Sequence, residues 1–386
     1  MPDFLSFKVA GKELNVPSAT LSEMSFLVKS TPRPYEVVWS PQYRTVVETI
    51  VKSLSENSSN FLLIDANVFT LYFSNVTIPE SQVFKVLAVE QEKNLNTVCT
   101  VIDAIERLSP SKNNVIHVVG GGITQDIGAF VACIYKRGVP WHFYPTTLLS
   151  MCDSCIGGKT GINYKDGKNQ LALFSAPRKV ILCSEFLKTL HNREMRSGYG
   201  EILKLPVTGG YAFLNLYERS LDANTGLPVP AHMKDLIFGA LMVKRAVIEA
   251  DEFELDIRRS LNYGHTIGHA LEVLSGYKIP HGQAVALGMM VVNRMAVRRN
   301  LLTRSEDLAI SRLAQPLLNM KDLDAIGYEG LGNLLQRDKK TLVNAFVFVL
   351  INSPGDTVFE LYPKNSNTIS EINMIIEEVI NDIKNK

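Results

Sequence analysis

Four short apolar runs alternate with amphipathic stretches in the first third of the chain, and that alternation restricts the fold more than any other feature. Tyr35–Trp39 (YEVVW), Phe61–Ile64 (FLLI), Val83–Ala88 (VFKVLA) and Val115–Val119 (VIHVV) read as buried strands, while Tyr43–Leu54 and Leu95–Leu108 carry helical spacing. Strands apolar on both faces and separated by helices belong to a parallel sheet covered by helices. Residues 1–185 are therefore expected to form an α/β domain with a parallel sheet.

After about residue 185 the spacing changes. Met233–Ala250, His265–Leu274, Gln283–Arg299 and Ser305–Leu318 are long and helically periodic, so residues 186–386 are read as a mostly α-helical domain. One exception is Ala345–Tyr362, where two β-rich runs flank the turn Ser353-Pro354-Gly355-Asp356. Near the end, Ile372, Ile375, Ile376, Val379, Ile380 and Ile383 form a single helical stripe, expected to pack on its own domain.

Charge excludes some partners. Lys+Arg 40 against Asp+Glu 39 leaves a net charge of +1, which supplies no field for nucleic acid. The longest apolar stretches, such as Ala284–Val292, fall short of the roughly 20 residues a membrane span needs. The opening MPDFLSFKVAGKEL has no signal-peptide pattern. Five cysteines (Cys99, Cys133, Cys152, Cys155, Cys183) fit a reducing, cytoplasmic compartment. Cys152 and Cys155 form a C-x-x-C without a second pair, and ordinary packing explains them.

Three segments carry chemistry. In the first, residues 115–138 (VIHVVGGGITQDIGAFVACIYKRG), an apolar strand runs into Gly120-Gly121-Gly122 and then a helix. Glycines there admit a phosphate to a helix N-terminus rich in free N–H groups. The usual dinucleotide fingerprint is incomplete, because Gln125 stands at its third glycine. A second, polar segment holds Thr146-Thr147, Asp153, Lys159 and Lys168-Asn169, read as irregular chain able to cradle a compact oxyanion. Gly157-Gly158-Lys159-Thr160 resembles the end of a Walker A loop, but no spacing completes that motif. In the third, His265 and His269 stand at i, i+4 on one helix face, and His281 opens the next helix. Spacing alone leaves metal binding and helix packing equally open there.

Taken together, GGGITQDIGAF, YKRG, PTTLLS, DSCIGGKTGIN, GKN, REMRSGYGEILK, RRSLNYGHTIGHALE and HGQAVALG resemble the 3-dehydroquinate synthase family of sugar phosphate cyclases, over roughly residues 65–340. The resemblance implies an N-terminal NAD-binding α/β domain and a helical metal- and substrate-binding domain, with the active site between them. It also implies tightly held NAD, a divalent metal (Zn2+ or Co2+) and a cytoplasmic homodimer in the shikimate pathway of aromatic amino acid biosynthesis.

By this resemblance Glu201, His265 and His281 bind the metal, and His269 faces substrate. Gly120, Gly121, Gly122, Asp126, Thr146, Thr147, Asp65, Asn67, Glu90, Lys93 and Lys168 hold NAD. Asp153, Lys159, Asn169, Lys204, Lys244, Arg258, Asn262 and His269 line the substrate pocket. Lys159, Lys204, Glu254, Asn262 and His269 form the catalytic set, and Arg137 binds substrate by reaching into the neighbouring subunit. The implied reaction takes 3-deoxy-arabino-heptulosonate 7-phosphate to 3-dehydroquinate and phosphate. It proceeds by transient oxidation, phosphate elimination, re-reduction and intramolecular aldol closure.

Lys244 and Arg258 favour a substrate bearing both phosphate and carboxylate, since Arg grips a carboxylate with two parallel hydrogen bonds. Other members of the superfamily, an amino-dehydroquinate synthase or a sedoheptulose 7-phosphate cyclase, are the alternative. A metal-dependent polyol dehydrogenase is a further one, disfavoured because a neutral alcohol needs no such cations. The chain departs from the family pattern at Gly200 (usually Ala), at Leu205-Pro206 after Lys204, and at Gln283 (usually Glu). It departs again at Val347, where a basic residue is expected beyond Asp338-Lys339-Lys340.

Overall fold

The computed structural model describes residues 3–31, 33–165, 167–327, 330–337 and 344–385. Asp338, Lys339 and Lys340 lie outside the described residues. The chain forms two compact units, residues 23–190 and residues 1–22 with 191–386. Its first two strands, β1 (Phe4–Val9) and β2 (Lys12–Pro17), belong with the second half of the chain.

The unit 23–190 is built on a seven-stranded sheet. Its elements are β3 (Ser25–Val28), β4 (Tyr35–Trp39), α1 (Tyr43–Glu56), β5 (Phe61–Asp65), β6 (Val83–Val86) and α2 (Leu95–Glu106). Then come β7 (Ile116–Gly120), α3 (Gly122–Ile134), β8 (Trp141–Pro145), β9 (Lys159–Tyr164), β10 (Gly167–Phe174) and β11 (Lys179–Leu182). The strand order is β3-β4-β11-β8-β7-β5-β6, and every pairing is parallel except that of β3 with β4. The four apolar runs all supply strands of this sheet, but Val83–Val86 is a half-exposed edge strand rather than a buried one, and Leu87 beyond it is exposed. Phe61, Leu62, Leu63, Ile64, Val118 and Val119 are almost wholly buried, as strands covered on both faces must be.

The polar segment expected to be irregular is ordered instead. Residues 159–164 and 167–174 pair as the antiparallel ribbon β9–β10. Lys168, Asn169 and Gln170, exposed in succession where the register shifts, hid its strand character.

The other unit adds α4 (Asn192–Gly209), α5 (Tyr211–Arg219), α6 (Met233–Ala250), α7 (His265–Leu274), α8 (His281–Arg298) and α9 (Arg304–Ala314). The hairpin β12 (Ala345–Ser353) and β13 (Asp356–Pro363) and the helix α10 (Ser366–Lys384) follow. Residues 282–296 of α8 are buried on every face, so the other helices pack around it. All six residues of the C-terminal stripe are buried within the same chain.

The expected division at 185/186 put residues 1–22 in the first domain. They join the other unit because β1 pairs with both β2 and β13, giving a sheet of order β12-β13-β1-β2. No helix among the described residues is long and apolar enough to cross a membrane.

Candidate active site

In the unit 191–386, close helix packing sets the geometry. A Cβ on Gly200 would lie 1.9 Å from the carbonyl oxygen of Gly282, and one on Gly282 would lie 1.8 Å from that of Ser197. Only a pair of glycines lets α4 and α8 approach this closely. That accounts for Gly200 where the family pattern has Ala, and it sets Glu201 of α4 beside His281 of α8.

Glu201 Oε1 lies 3.4 Å from His265 Nε2 and 3.3 Å from His281 Nε2. A tetrahedral metal with ligand bonds of about 2.0–2.1 Å spaces its ligand atoms about 3.3–3.4 Å apart, which both Glu201–histidine distances match. Both rings are turned for that role. His281 Nδ1 meets Glu272 Oε2 at 3.0 Å, and His265 Nδ1 meets the Tyr263 carbonyl at 3.3 Å. Acceptors at both Nδ1 atoms make these the N–H positions, so that each Nε2 faces the Glu201 carboxylate, with a proton on the His281 nitrogen whenever no metal takes its place. Such an arrangement calls for a cation.

Neither oxygen of the wholly buried Glu201 has a well-formed hydrogen bond among the described residues, although Lys204 Nζ forms an ion pair with Oε2 at 2.5 Å. Burial opposes the Glu201 charge, but Lys204 and His281 hold its carboxyl well below the usual range. At His281 burial likewise opposes the charged form. Glu201 and Glu272 outweigh it, raising that imidazole to about 10 without metal.

His269 completes a cluster whose three imidazoles each bring a nitrogen within 4.8 Å of the others. Its ring stacks on His281 at 5.5 Å between centroids, and it is exposed. It touches the centre from the solvent side.

The loop after α6 carries the other expected residues. Asp251 caps it by accepting backbone hydrogen bonds from Leu255 (2.9 Å), Asp256 (2.8 Å) and Arg258 (2.9 Å). Burial works against the Asp251 charge, and those three bonds outweigh it, holding the carboxyl below its usual range. Within the loop, Glu254 Oε1 accepts from Asn262 Nδ2 at 3.1 Å. Arg258 is 2 % exposed, and its guanidinium also bonds the Glu252 carbonyl. Lys244 on α6 is buried as well.

In the unit 23–190, β7 ends at Gly120 and α3 begins at Gly122. Gly121 gives the helix no side-chain cap, so its first N–H groups are open to an anion. A Cβ on Gly121 would meet Thr147 at 2.8 Å, whereas one on Gly122 would meet nothing within 4 Å. The chain thus leaves space over the helix start, as a pyrophosphate requires. Gln125, the departure from the fingerprint, has a local purpose. Its amide donates to the Ser154 carbonyl at 2.7 Å and accepts from the Ser154 hydroxyl at 2.5 Å, tying α3 to the chain after Thr147.

Around this loop the structure gathers several expected residues. Lys93 Nζ donates to Asp126 Oδ2 (2.9 Å) and Asn169 Oδ1 (2.6 Å), and Glu90 accepts from Asn163 Nδ2 (2.7 Å). Burial pushes the Asp126 carboxyl up, and Lys93 works against that. Asp65 caps the turn after β5 by accepting from the Asn67 N–H at 2.8 Å. Thr146 follows β8, its N–H bonded to the Gly120 carbonyl at 3.0 Å. Asp153 is half-buried, and Lys159 and Lys168 are exposed on the ribbon.

Arg137 is not brought here. It lies exposed past the far end of α3, about 20 Å from Gly122 at 1.5 Å per residue. Lys136, Arg137 and Gly138 there have φ of 48°, 62° and 104°.

The sequence profile of the 3-dehydroquinate synthase N-terminal region matches residues 83–197, and that of the C-terminal region matches residues 198–341. The chain belongs to the 3-dehydroquinate synthase family.

A 3-dehydroquinate synthase of Pelagibacter ubique is 34% identical over 335 residues, covering 82% of this chain and 89% of that protein. One from Sulfurimonas denitrificans is 36% identical over 291 residues, covering 74% and 80%. Among solved structures, a 2-deoxy-scyllo-inosose synthase complexed with carbaglucose-6-phosphate, NAD+ and Co2+ shares the fold. Its TM-score is 0.79 at 22% identity, over 92% of this chain and 99% of that one.

Three departures from the family pattern remain. Pro206 sits inside α4, and Gln283 is buried with its amide 3.5 Å from the Arg193 carbonyl. Val347 lies in β12, paired with Leu361. Sequence reasoning passed over Glu272, Asp251 and Asn163. Only Glu272 had a visible signal, since it follows His265 by seven residues and His269 by three on one helix face.

Proposed function

We propose that this protein is a 3-dehydroquinate synthase, an NAD- and metal-dependent lyase that converts 3-deoxy-arabino-heptulosonate 7-phosphate to 3-dehydroquinate and phosphate. Family membership supports the reaction class. The observation that carries the rest is Glu201 Oε1 facing two histidine Nε2 atoms, with Lys204 on its other oxygen.

In this reading Glu201, His265 and His281 hold the metal. Gly120, Gly121, Gly122, Thr146, Thr147 and Asp126 hold NAD, supported by Asp65, Asn67, Glu90, Lys93 and Lys168. When bound, NAD supplies reversible hydride acceptance, and the metal supplies a Lewis acid beside the reacting oxygens. NAD+ and Co2+ in the solved inosose synthase are consistent with that pairing.

The protein's own residues do the remaining work. Lys204 and Lys244, both buried, stabilise developing oxyanions, because fixed charges act strongly where water is excluded. Arg258, held by the Asp251-capped loop, binds the substrate carboxylate, and Asp153, Lys159 and Asn169 contact substrate as well. Glu254 and Asn262, already hydrogen-bonded to each other, orient a ring hydroxyl. His269, exposed beside the metal ligands, is placed to hold or pass a proton. Arg137, remote from its own glycine loop, fits a homodimer in which it serves a second copy.

Purified protein supplied with NAD, zinc and the heptulosonate phosphate should release phosphate and form dehydroquinate with no net NADH. Turnover of sedoheptulose 7-phosphate or an amino analogue instead would move the chain to another cyclase. Net NADH from a simple polyol would end the cyclase reading.

A further inference from the structure

We propose that Glu272 is a positioning residue for the metal: its carboxylate holds the Nδ1–H of His281 and so turns Nε2 toward Glu201. The inference rests on reading Glu201, His265 and His281 as the ligands. A metal-bound histidine generally needs a hydrogen-bond acceptor on its other nitrogen, which fixes the tautomer and strengthens the donor.

The two histidines obtain that acceptor differently. His265 uses the main chain, at the Tyr263 carbonyl two residues earlier. Its position is locked, since it opens α7 behind Gly264, whose missing side chain leaves room for Met289 and the Val285 carbonyl of α8. His281 opens α8 and is far less enclosed, with a side chain 34% exposed against 11% for His265. Among the described residues no carbonyl steadies it in the same way. Its Nδ1 partner is Glu272 Oε2 at 3.0 Å, from the last turn of the neighbouring helix.

Glu272 is itself 15% exposed and placed by the helix that carries His265 and His269, so one face of α7 contributes a ligand, a substrate-facing imidazole and the brace for the third ligand. A purely structural tie between α7 and α8 would have no reason to select the ring nitrogen opposite Glu201.

The test compares wild type, Glu272→Ala, Glu272→Gln and His281→Ala. Zinc affinity is read by competition with a chromogenic chelator, and ligand geometry by the visible spectrum of the Co2+-loaded protein. The thermal midpoint of each metal-free form is read alongside. Glu272→Ala should lose about 10- to 100-fold in zinc affinity. Glu272→Gln keeps an acceptor oxygen and should lose less, with shifted Co2+ bands and a smaller drop in the metal-free midpoint than Glu272→Ala. Wild-type zinc affinity and Co2+ bands in both variants would overturn the proposal, as would a change confined to the metal-free midpoint. If wild type binds no zinc, or His281→Ala binds it equally well, the ligand reading fails and the proposal with it.

Discussion

Lys93 Nζ lies 2.9 Å from Asp126 Oδ2, joining the segment after β6 to the helix that follows the three glycines. The same ammonium reaches Asn169 on the ribbon at 2.6 Å, so one buried cation ties three parts of the unit together. Removing one partner of such a pair leaves the other charge poorly solvated. Lys93→Met should therefore destabilise the protein by about 3 kcal/mol, the low end for a buried pair, because Asp126 keeps some exposure. Asp126→Asn should cost less, since its amide oxygen still accepts from Lys93. Urea unfolding decides the matter, and a Lys93→Met loss within 0.5 kcal/mol, as about expected for an ordinary surface substitution, would count against the network.

The neighbouring glycines separate folding from cofactor binding. A methyl at 121 collides with Thr147, whereas a methyl at 122 enters open space above the helix start. Gly121→Ala should lower the thermal midpoint. Gly122→Ala should leave it level or slightly raised, because Ala favours helix over Gly, yet weaken NAD by about tenfold or more. Calorimetry and an NAD titration read the two effects. Unchanged NAD affinity in Gly122→Ala would move the cofactor elsewhere.

His281 makes metal binding a proton-linked event. With its imidazole raised to about 10, it carries a proton at pH 7.5 in the metal-free protein, while Glu201 is already ionised. Coordination requires the neutral ring, so binding should release close to one proton and tighten as pH rises toward about 10. The same shift makes the metal-free fold lean on the imidazolium. That contribution is complete below the unfolded value of about 6.5 and disappears as pH rises through the folded value. Calorimetric zinc titrations in buffers of different ionisation enthalpy count the proton. A count near zero would show that the ring is neutral beforehand.

The large elements were legible because burial imposes a period. Phe61–Ile64 and Val115–Val119 had to be strands, and the isoleucine stripe of α10 had to face a core. The ribbon β9–β10 was not legible, since Lys168, Asn169 and Gln170 are polar and exposed in succession and the apolar run Leu171–Phe174 that follows is too short to establish a period. The pairing of β1 with β13 was hidden too, because strand partnership across hundreds of residues leaves no local trace.

At the site, spacing placed His265 and His269 on one face but could not bring in Glu201, which arrives through the Gly200–Gly282 crossing. Gly200 looked like a deviation in the sequence. In three dimensions it is the condition for the contact.

The placement of β1 also bears on how the protein is made. Lys8 lies beside Asp356 and Val9 beside Thr357, so β1 cannot find that neighbour until the long stretch of chain up to β13 has been synthesised. At about 5–20 residues per second the delay is on the order of tens of seconds. The β1–β2 hairpin can close on its own meanwhile, but its outer edge stays unpaired until β13 emerges. The unit 23–190, whose strands all lie between β2 and β12, does not depend on that pairing, whereas the unit that holds β1 and β13 is complete only once both strands are present.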